Sequence, residues 1–298
     1  MSTPNTNVAT YLYEVPGPRG RRRIIIGSII SALIIAGVIG AGLWQFGSRG
    51  QLDADKWTPF LDLAIWKYLG VGLLGTLQAA AIVAILGASF GTLLALGRVS
   101  KVRWLSWLCA GYIEIARTVP VLLLIYLMLF GLPQLGINFP VLWKLAIPLT
   151  LANAAVFAEI VRAGILSLPR GQAEAAFSLG LRSSQVMRLV VLPQAVRNVT
   201  PSLITQLVSL MKDTSLGFIV AFTELLYRGQ VLSSFNHLLI QTYLVVTIIY
   251  LLVNGSLSGL ASRLQKKPGR TRTTMASATM ALPLPTPGGS SPQKAPHV

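Results

Sequence analysis

Residues 174–193 read EAAFSLGLRSSQVMRLVVLP and form a polar, basic loop between two long apolar stretches. The first half of the loop consists of good helix formers, and Gly180 is expected to end that helix because glycine tolerates a left-handed backbone. Ser183 or Ser184 then predicts the cap of a second short helix that ends near Pro193. The stretch therefore predicts two short helices around a glycine bend.

The composition indicates a membrane protein. Of the 298 residues, 53% are hydrophobic and only 11% are charged. The single Cys109 excludes a disulfide framework and a cysteine metal site, and the two histidines, His237 and His297, give no basis for another metal site or a catalytic triad. The basic residues behind the net charge of +16 lie at the ends of apolar spans and in the tails. This distribution favours a membrane protein that follows the positive-inside rule and argues against a nucleic-acid partner.

Six stretches are long and apolar enough to cross a bilayer as helices, which needs roughly 20 residues each. This predicts an all-α membrane protein with six spans at 24–46, 69–97, 105–131, 141–165, 201–222 and 238–262. A secretory signal is the alternative for the first span, but its apolar run is too long and no small-residue cleavage site follows it.

Lysine and arginine cluster before the first span, after the second, around the loop after the fourth, and after the sixth. This pattern predicts both termini and that loop on the cytoplasmic side of the cell membrane. The domains are then a basic N-terminal tail at 1–23, an accessory anchor at 24–46, a five-span membrane domain at 69–262 that contains the polar loop at 167–197, and a tail at 263–298. The last tail is rich in Pro, Ser, Thr and Gly and is expected to be disordered.

Ionisable residues in or near the spans are costly and point to function or to helix pairing. Glu114 and Arg117, and likewise Glu159 and Arg162, have i,i+3 spacing and are predicted to form structural ion pairs. The alternative is that these four residues line a polar path.

A second polar group lies deeper in the predicted spans. The helical rise of about 1.5 Å per residue, counted from Thr200, places Lys212 near the middle of the bilayer. Asn153 lies midway along the fourth span. Pro120 frees a backbone carbonyl in the third span, next to a hydroxyl. These features predict a translocation path formed by Thr118, Asn153, Lys212, Asp213, Thr214 and Ser215.

The loop resembles the coupling loop of ABC importer permeases, the part of the membrane subunit that an ATPase grips. The residues that carry this resemblance are Glu174, Ala175, Ala176, Gly180, Leu192 and Pro193. Residues 158–165 (AEIVRAGI) and 212–216 (KDTSL) look like the polar amino acid subfamily. The first span and the long tail make the chain look most like the second permease of Gram-positive glutamate uptake systems.

The resemblance implies a complex of two non-identical permeases, a cytoplasmic ATPase dimer and an external solute-binding protein. It implies uptake of a polar amino acid, glutamate first, by alternating access. No cofactor is expected in this chain, and it is not expected to be an enzyme, because it has no G-x-x-x-x-G-K-[S/T] loop. ATP and Mg²⁺ are expected on the ATPase.

Two other functions compete with an ATP-driven importer. A secondary transporter or channel driven by an ion gradient would share the buried charges, but it has no use for an ATPase-docking loop. An intramembrane serine hydrolase is disfavoured because Leu257 occupies the serine position of a G-x-S-x-G pattern at 255–259.

Overall fold

The computed structural model describes residues 17–265, apart from the side chains of Ala261, Leu264 and Gln265. In this range the chain forms helices and turns and no β-strand, which confirms the all-α prediction. The main helices are α1 (Pro18–Ser48), α2 (Leu63–Arg98), α3 (Arg103–Thr118), α4 (Val121–Tyr126), α5 (Val141–Leu166), α6 (Arg170–Ser178), α7 (Leu192–Asp213), α8 (Leu225–Asn236) and α9 (Leu239–Gln265).

Between residues 17 and 265, five helical stretches are long and apolar enough to cross a membrane, or six if one bent pair is counted. That pair is the predicted third span, 105–131, which is not one continuous helix. The chain bends by 93° between α3 and the helical stretch Val121–Gln134. Pro120 causes the break, because it lacks an N–H and forces Val119 into an extended conformation with ψ of 122°.

The predicted fifth span, 201–222, belongs to a longer helical stretch, Ser183–Val220. The expected short helix that ends near Pro193 is therefore wrong. A π-helical turn, Val186–Val191, leads into α7, and Pro193 lies in the first turn of α7. The wider π turn accommodates the proline ring, which would otherwise meet the carbonyl of the preceding turn.

The core lies between α2, α5 and α7. Val83 on α2, Leu149 on α5 and Leu210 on α7 are fully buried in one cluster. A second cluster joins α3 to α2 and α5 through Ile113 and Ala158, which are also fully buried. Lipid is as apolar as these side chains, so close packing rather than exclusion of water holds such helices together.

Helix α1 includes the stretch 24–46 predicted as an anchor, and no residue of α1 is buried. Helix α5, in contrast, lies inside the bundle: half of the residues in its most apolar stretch are buried. Most of the predicted tails, residues 1–16 and 266–298, lies outside the described residues.

Candidate functional site

The coupling segment, residues 167–197, lies at the end of the bundle where α5 ends and α7 begins, which we call the coupling end. Within it, α6 is followed by a glycine turn and the π-helical turn that enters α7. Gly180 has φ of +80°, and its N–H donates to the carbonyl of Phe177 at 2.9 Å. The left-handed residue ends α6 as the sequence predicted.

One face of the coupling segment packs against the bundle. Ala176, Val186 and Val191 are buried together, and Ile165 at the end of α5 packs against them, as does Leu168 in the turn that follows α5. The segment is therefore one packed unit rather than a loose loop.

Polar bonds add to this packing. The backbone N–H of Arg182 donates to Oε1 of Gln185 at 2.8 Å. The amide of Gln194 on α7 donates to Oε1 of Gln172 on α6 at 3.4 Å. These contacts connect α6 to the end of α5 and to the start of α7.

The other face of α6 is exposed. Glu174 and Ala175 are exposed, and the large apolar side chains of Phe177 and Leu179 are 47% and 82% exposed. Four more residues carry the resemblance to a coupling loop. Gly180 and Pro193 are exposed, Leu192 is half-buried, and Ala176 is buried.

Four charged residues join α2, α3 and α5 near the coupling end. Arg98 donates to Oε1 of Glu159 at 2.6 Å and lies 3.4 Å from Oε1 of Glu114. Glu159 also pairs with Arg162 at 2.8 Å, with the expected i,i+3 geometry. The predicted Glu114–Arg117 pair is wrong, because Glu114 pairs instead with Arg98 of the neighbouring helix. Arg117 makes no salt bridge within residues 17–265.

A cavity of about 240 Å³ opens where the third span is broken. Residues from both sides of the break, from α5 and from α7 line it: Ala116, Arg117, Val119, Val121, Ala152, Asn153, Val156, Gln206 and Asp213. The cavity thus combines an apolar wall with a cation, an anion and two amides. Such an arrangement can hold a small zwitterion.

Two amide side chains are fixed across the cavity wall. Gln206 on α7 donates to Oδ1 of Asn153 on α5 at 2.7 Å, and Nδ2 of Asn153 donates to the carbonyl of Leu149 at 2.9 Å. Asn153 is buried. Gln206, rather than Lys212, is therefore level with the middle of α5, and Lys212 lies roughly 9 Å further along α7.

The structure brings only part of the predicted path to this cavity. Asn153 and Asp213 line it, whereas Thr118 and Lys212 are exposed beside it and do not. The hydroxyls of Thr214 and Ser215 bond to backbone carbonyls one turn earlier, at 2.7 Å each. These two side chains serve the 3-10 helix Thr214–Val220 that follows α7.

Two lining residues were not assigned to the path from the sequence. Arg117 was assigned to an ion pair, with a polar path as the alternative, and Gln206 was not considered. Gln206 lies seven residues before Asp213, two turns along the same helix face, and that spacing was the available signal. Arg117 comes just before the break at Pro120, which turns the end of α3 toward the cavity.

Membrane-length helices, a polar cavity at a broken span and a packed loop with an exposed apolar face are features compatible with a membrane permease. Comparison with known proteins identifies the family. Residues 87–270 match the model of the binding-protein-dependent transport system inner membrane component, and the chain belongs to this family. Within the family it is a permease of the polar amino acid ABC importers.

The similar proteins agree with this assignment. The glutamate transport system permease protein GluD of Corynebacterium glutamicum is 40% identical over 240 residues, which cover 76% of this chain and 86% of GluD. The probable glutamine ABC transporter permease protein GlnP of Bacillus subtilis is 37% identical over 66% of this chain and 92% of GlnP. A crystal structure of an amino acid ABC transporter with histidines matches with a TM-score of 0.64 and 28% identity, over 73% of this chain and 98% of that chain.

Proposed function

We propose that this chain is the membrane permease of an ATP-driven glutamate importer and that a separate ATPase docks on its coupling segment. The observation that carries the proposal is the coupling segment itself. Its inner face packs on Ile165 of α5, and its π-helical turn continues directly into α7, while Phe177 and Leu179 remain exposed for a partner. Such a segment passes a movement of the ATPase to the two helices that line the cavity.

The proposed orientation places the coupling end and both termini in the cytoplasm. The concentration of arginine and lysine at the coupling end supports it, with Arg98, Lys101 and Arg103 where α2 ends and α3 begins and Arg170, Arg182 and Arg188 in the coupling segment. The opposite end of the bundle then faces the outside, where a solute-binding protein delivers the substrate. ATP and Mg²⁺ belong to the ATPase, and this chain needs no cofactor.

The cavity at the broken span is the proposed substrate position during transport. Arg117 offers a cation to a substrate carboxylate, and Asp213 offers an anion to the α-amino group. The cavity volume of about 240 Å³ is below the roughly 300 Å³ at which pockets for drug-sized ligands begin, and this suits an amino acid. Glutamate is favoured because the relative with 40% identity is a glutamate permease.

The proposed complex contains two permease subunits. GlnP and GlnM of Bacillus subtilis, both probable glutamine ABC transporter permeases, are similar to this chain at 37% and 34% identity. A second, non-identical permease is therefore the proposed partner here as well. The ATPase is proposed to be a dimer, one subunit for each permease.

Uptake measurements in cells test the function and the substrate together. Initial rates are measured for labelled glutamate, glutamine, arginine and histidine, with and without the chain, after ATP depletion and after addition of an ionophore. Loss of ATP-dependent glutamate uptake in cells that lack the chain is the expected result. Loss of another amino acid instead contradicts the glutamate assignment, and uptake that responds only to the ionophore contradicts an ABC importer.

A matched pair of variants tests the cavity. Arg117→Gln is expected to raise the substrate concentration for half-maximal uptake, because it removes the cation from the cavity wall. Arg103→Gln is the control, since Arg103 is exposed at the other end of α3 and does not line the cavity. Equal effects of the two substitutions would remove Arg117 from the substrate position.

A further inference from the structure

Helices α5 and α7 approach each other closely near the coupling end, and Gly164 on α5 makes this contact. A Cβ added to Gly164 would lie 2.7 Å from Cγ1 of Val199 and 2.9 Å from the carbonyl oxygen of Ala195, both on α7. Gly164 and Ala195 are buried. A backbone carbonyl and a β-branched side chain have little freedom to move aside. The two backbones therefore come this close only because position 164 is a glycine.

The contact at Gly164 lies on the same helix faces as the amide pair of the cavity wall. Asn153 comes 11 residues before Gly164 on α5, and Gln206 comes 11 residues after Ala195 on α7. Eleven residues make about three full turns of an α-helix, or roughly 17 Å. Because the two helices are antiparallel, this equal spacing places the second pair opposite each other as well. One line of contact therefore joins Gly164 to the bond between Gln206 and Asn153.

Helix α5 has no room to move away from α7. On its other side α2 approaches it just as closely, since a Cβ at Gly91 would lie 2.6 Å from the carbonyl oxygen of Ala154 and 2.7 Å from Cβ of Phe157. Ala154 and Phe157 are buried. Between residues 153 and 164 the sequence has no proline and no other glycine at which α5 could bend. A side chain at position 164 is therefore expected to displace α7 and not α5.

We propose that Gly164 is a positioning residue for the substrate: it sets the separation of α5 and α7 at which Gln206 reaches Asn153. Nonbonded carbon atoms are best placed about 3.5–4.0 Å apart, so a methyl group at position 164 would push the helices apart by roughly 0.5–1 Å. The bond from Gln206 to Asn153, now 2.7 Å, would then lengthen to or beyond about 3.2 Å, the upper end of the usual range. The inference rests on the proposed function, and it adds a residue that acts on the cavity without lining it.

Two substitutions, alone and combined, test whether Gly164 acts through the amide pair. Gly164→Ala adds the methyl group, and Gln206→Met removes the amide from α7 and keeps an unbranched side chain. Gly229→Ala is the matched control, because its Cβ would lie 2.7 Å from Cγ2 of Val246, in a contact between α8 and α9 that does not border the cavity. Gly164 and Gly229 are both buried.

The first measurement is the thermal unfolding midpoint of the permease–ATPase complex in lipid nanodiscs, which requires no substrate. Gln206→Met is expected to lower the midpoint by about 2 °C in the wild type, the effect of one hydrogen bond, and to lower it no further in Gly164→Ala. In Gly229→Ala, Gln206→Met should keep its full effect. A full effect of Gln206→Met in Gly164→Ala would overturn the proposal.

The second measurement is the binding of labelled glutamate to the same complexes by equilibrium dialysis, without the binding protein. Gly164→Ala and Gln206→Met are each expected to raise the Kd about fivefold to tenfold, and the double variant should raise it no more than either alone. A purely structural role of Gly164 would lower the yield and the unfolding midpoint and leave the Kd unchanged. An unchanged Kd in Gly164→Ala, or an equal rise in Gly229→Ala, would therefore overturn the proposal.

A milder variant keeps the test decisive if Gly164→Ala does not insert into the membrane. The combination of Gly164→Ala with Val199→Ala removes one of the two close contacts with α7 and leaves the contact with the Ala195 carbonyl. A weaker effect of Gln206→Met on the midpoint and a smaller rise in the Kd are then expected. The absence of both changes would overturn the proposal.

Failure of the proposed function gives a different result. In that case the wild type binds no glutamate, while the unfolding midpoints still show that Gln206→Met has no effect in Gly164→Ala. The midpoints need no substrate, so the two failures are distinguishable.

Discussion

Replacement of Gly180 is expected to uncouple ATP hydrolysis from uptake. The loss of coupling should increase with the free energy that the new residue needs to adopt the left-handed backbone conformation. Gly180 has φ of +80°, and a Cβ at this position would meet no atom within 4 Å. Steric contacts with neighbours therefore contribute nothing, and the backbone angle alone sets the penalty.

The substitutions form a graded series. Asparagine tolerates this angle and should be nearly neutral, whereas alanine costs about 1–2 kcal/mol, or roughly a 5- to 30-fold loss of the native turn. Proline fixes φ near −65° and removes the N–H that donates to Phe177, so it costs about 3 kcal/mol or more. The expected order of coupling is Gly, Asn, Ala, Pro.

The assay is the amount of glutamate taken up per ATP hydrolysed in membrane vesicles, at matched amounts of inserted protein. Gly171→Ala is the control, because Gly171 is exposed on α6, has no positive φ and also has no atom within 4 Å of an added Cβ. Wild-type coupling in Gly180→Pro would refute the reasoning. So would an equal loss in Gly180→Asn and Gly180→Pro.

Three further outcomes follow from the contacts. Asn153→Leu removes the bonds to Gln206 and Leu149, so uptake should fall at least tenfold with normal insertion; unchanged uptake would contradict a role for the cavity. Arg98→Met should lower the thermal unfolding midpoint more than Glu114→Gln does, because Glu114 is 62% exposed and its bond is longer; the reverse order would contradict the assigned ion pairs. Leu179→Asp should abolish co-purification of the ATPase, while Leu135→Asp, also largely exposed but at the opposite end, should not; retained co-purification would move the docking surface elsewhere.

Features that depend on nearby residues were predictable from the sequence. The spans follow from runs of apolar residues, and the end of α6 follows from Gly180, whose backbone angle is a local property. The pair Glu159–Arg162 likewise depends only on spacing within one helix.

Features that depend on the packing of distant helices were not predictable. Arg98 competes with Arg117 for Glu114, and nothing in the spacing of α3 reveals an arginine at the end of α2. The 93° bend after Thr118 decides which residues reach the cavity, whereas Pro120 alone indicates only that the helix is interrupted. The bond between Gln206 and Asn153 depends on the register of α7 against α5.

The most direct test of the central claim is glutamate uptake by sealed proteoliposomes. The proteoliposomes contain this chain together with its second permease, the ATPase and the binding protein. ATP is enclosed on the side of the coupling segment, and no ion gradient is imposed. We predict accumulation of glutamate that requires ATP and is lost in Gly180→Pro. Accumulation that proceeds without ATP, or that needs an imposed ion gradient, would contradict the account.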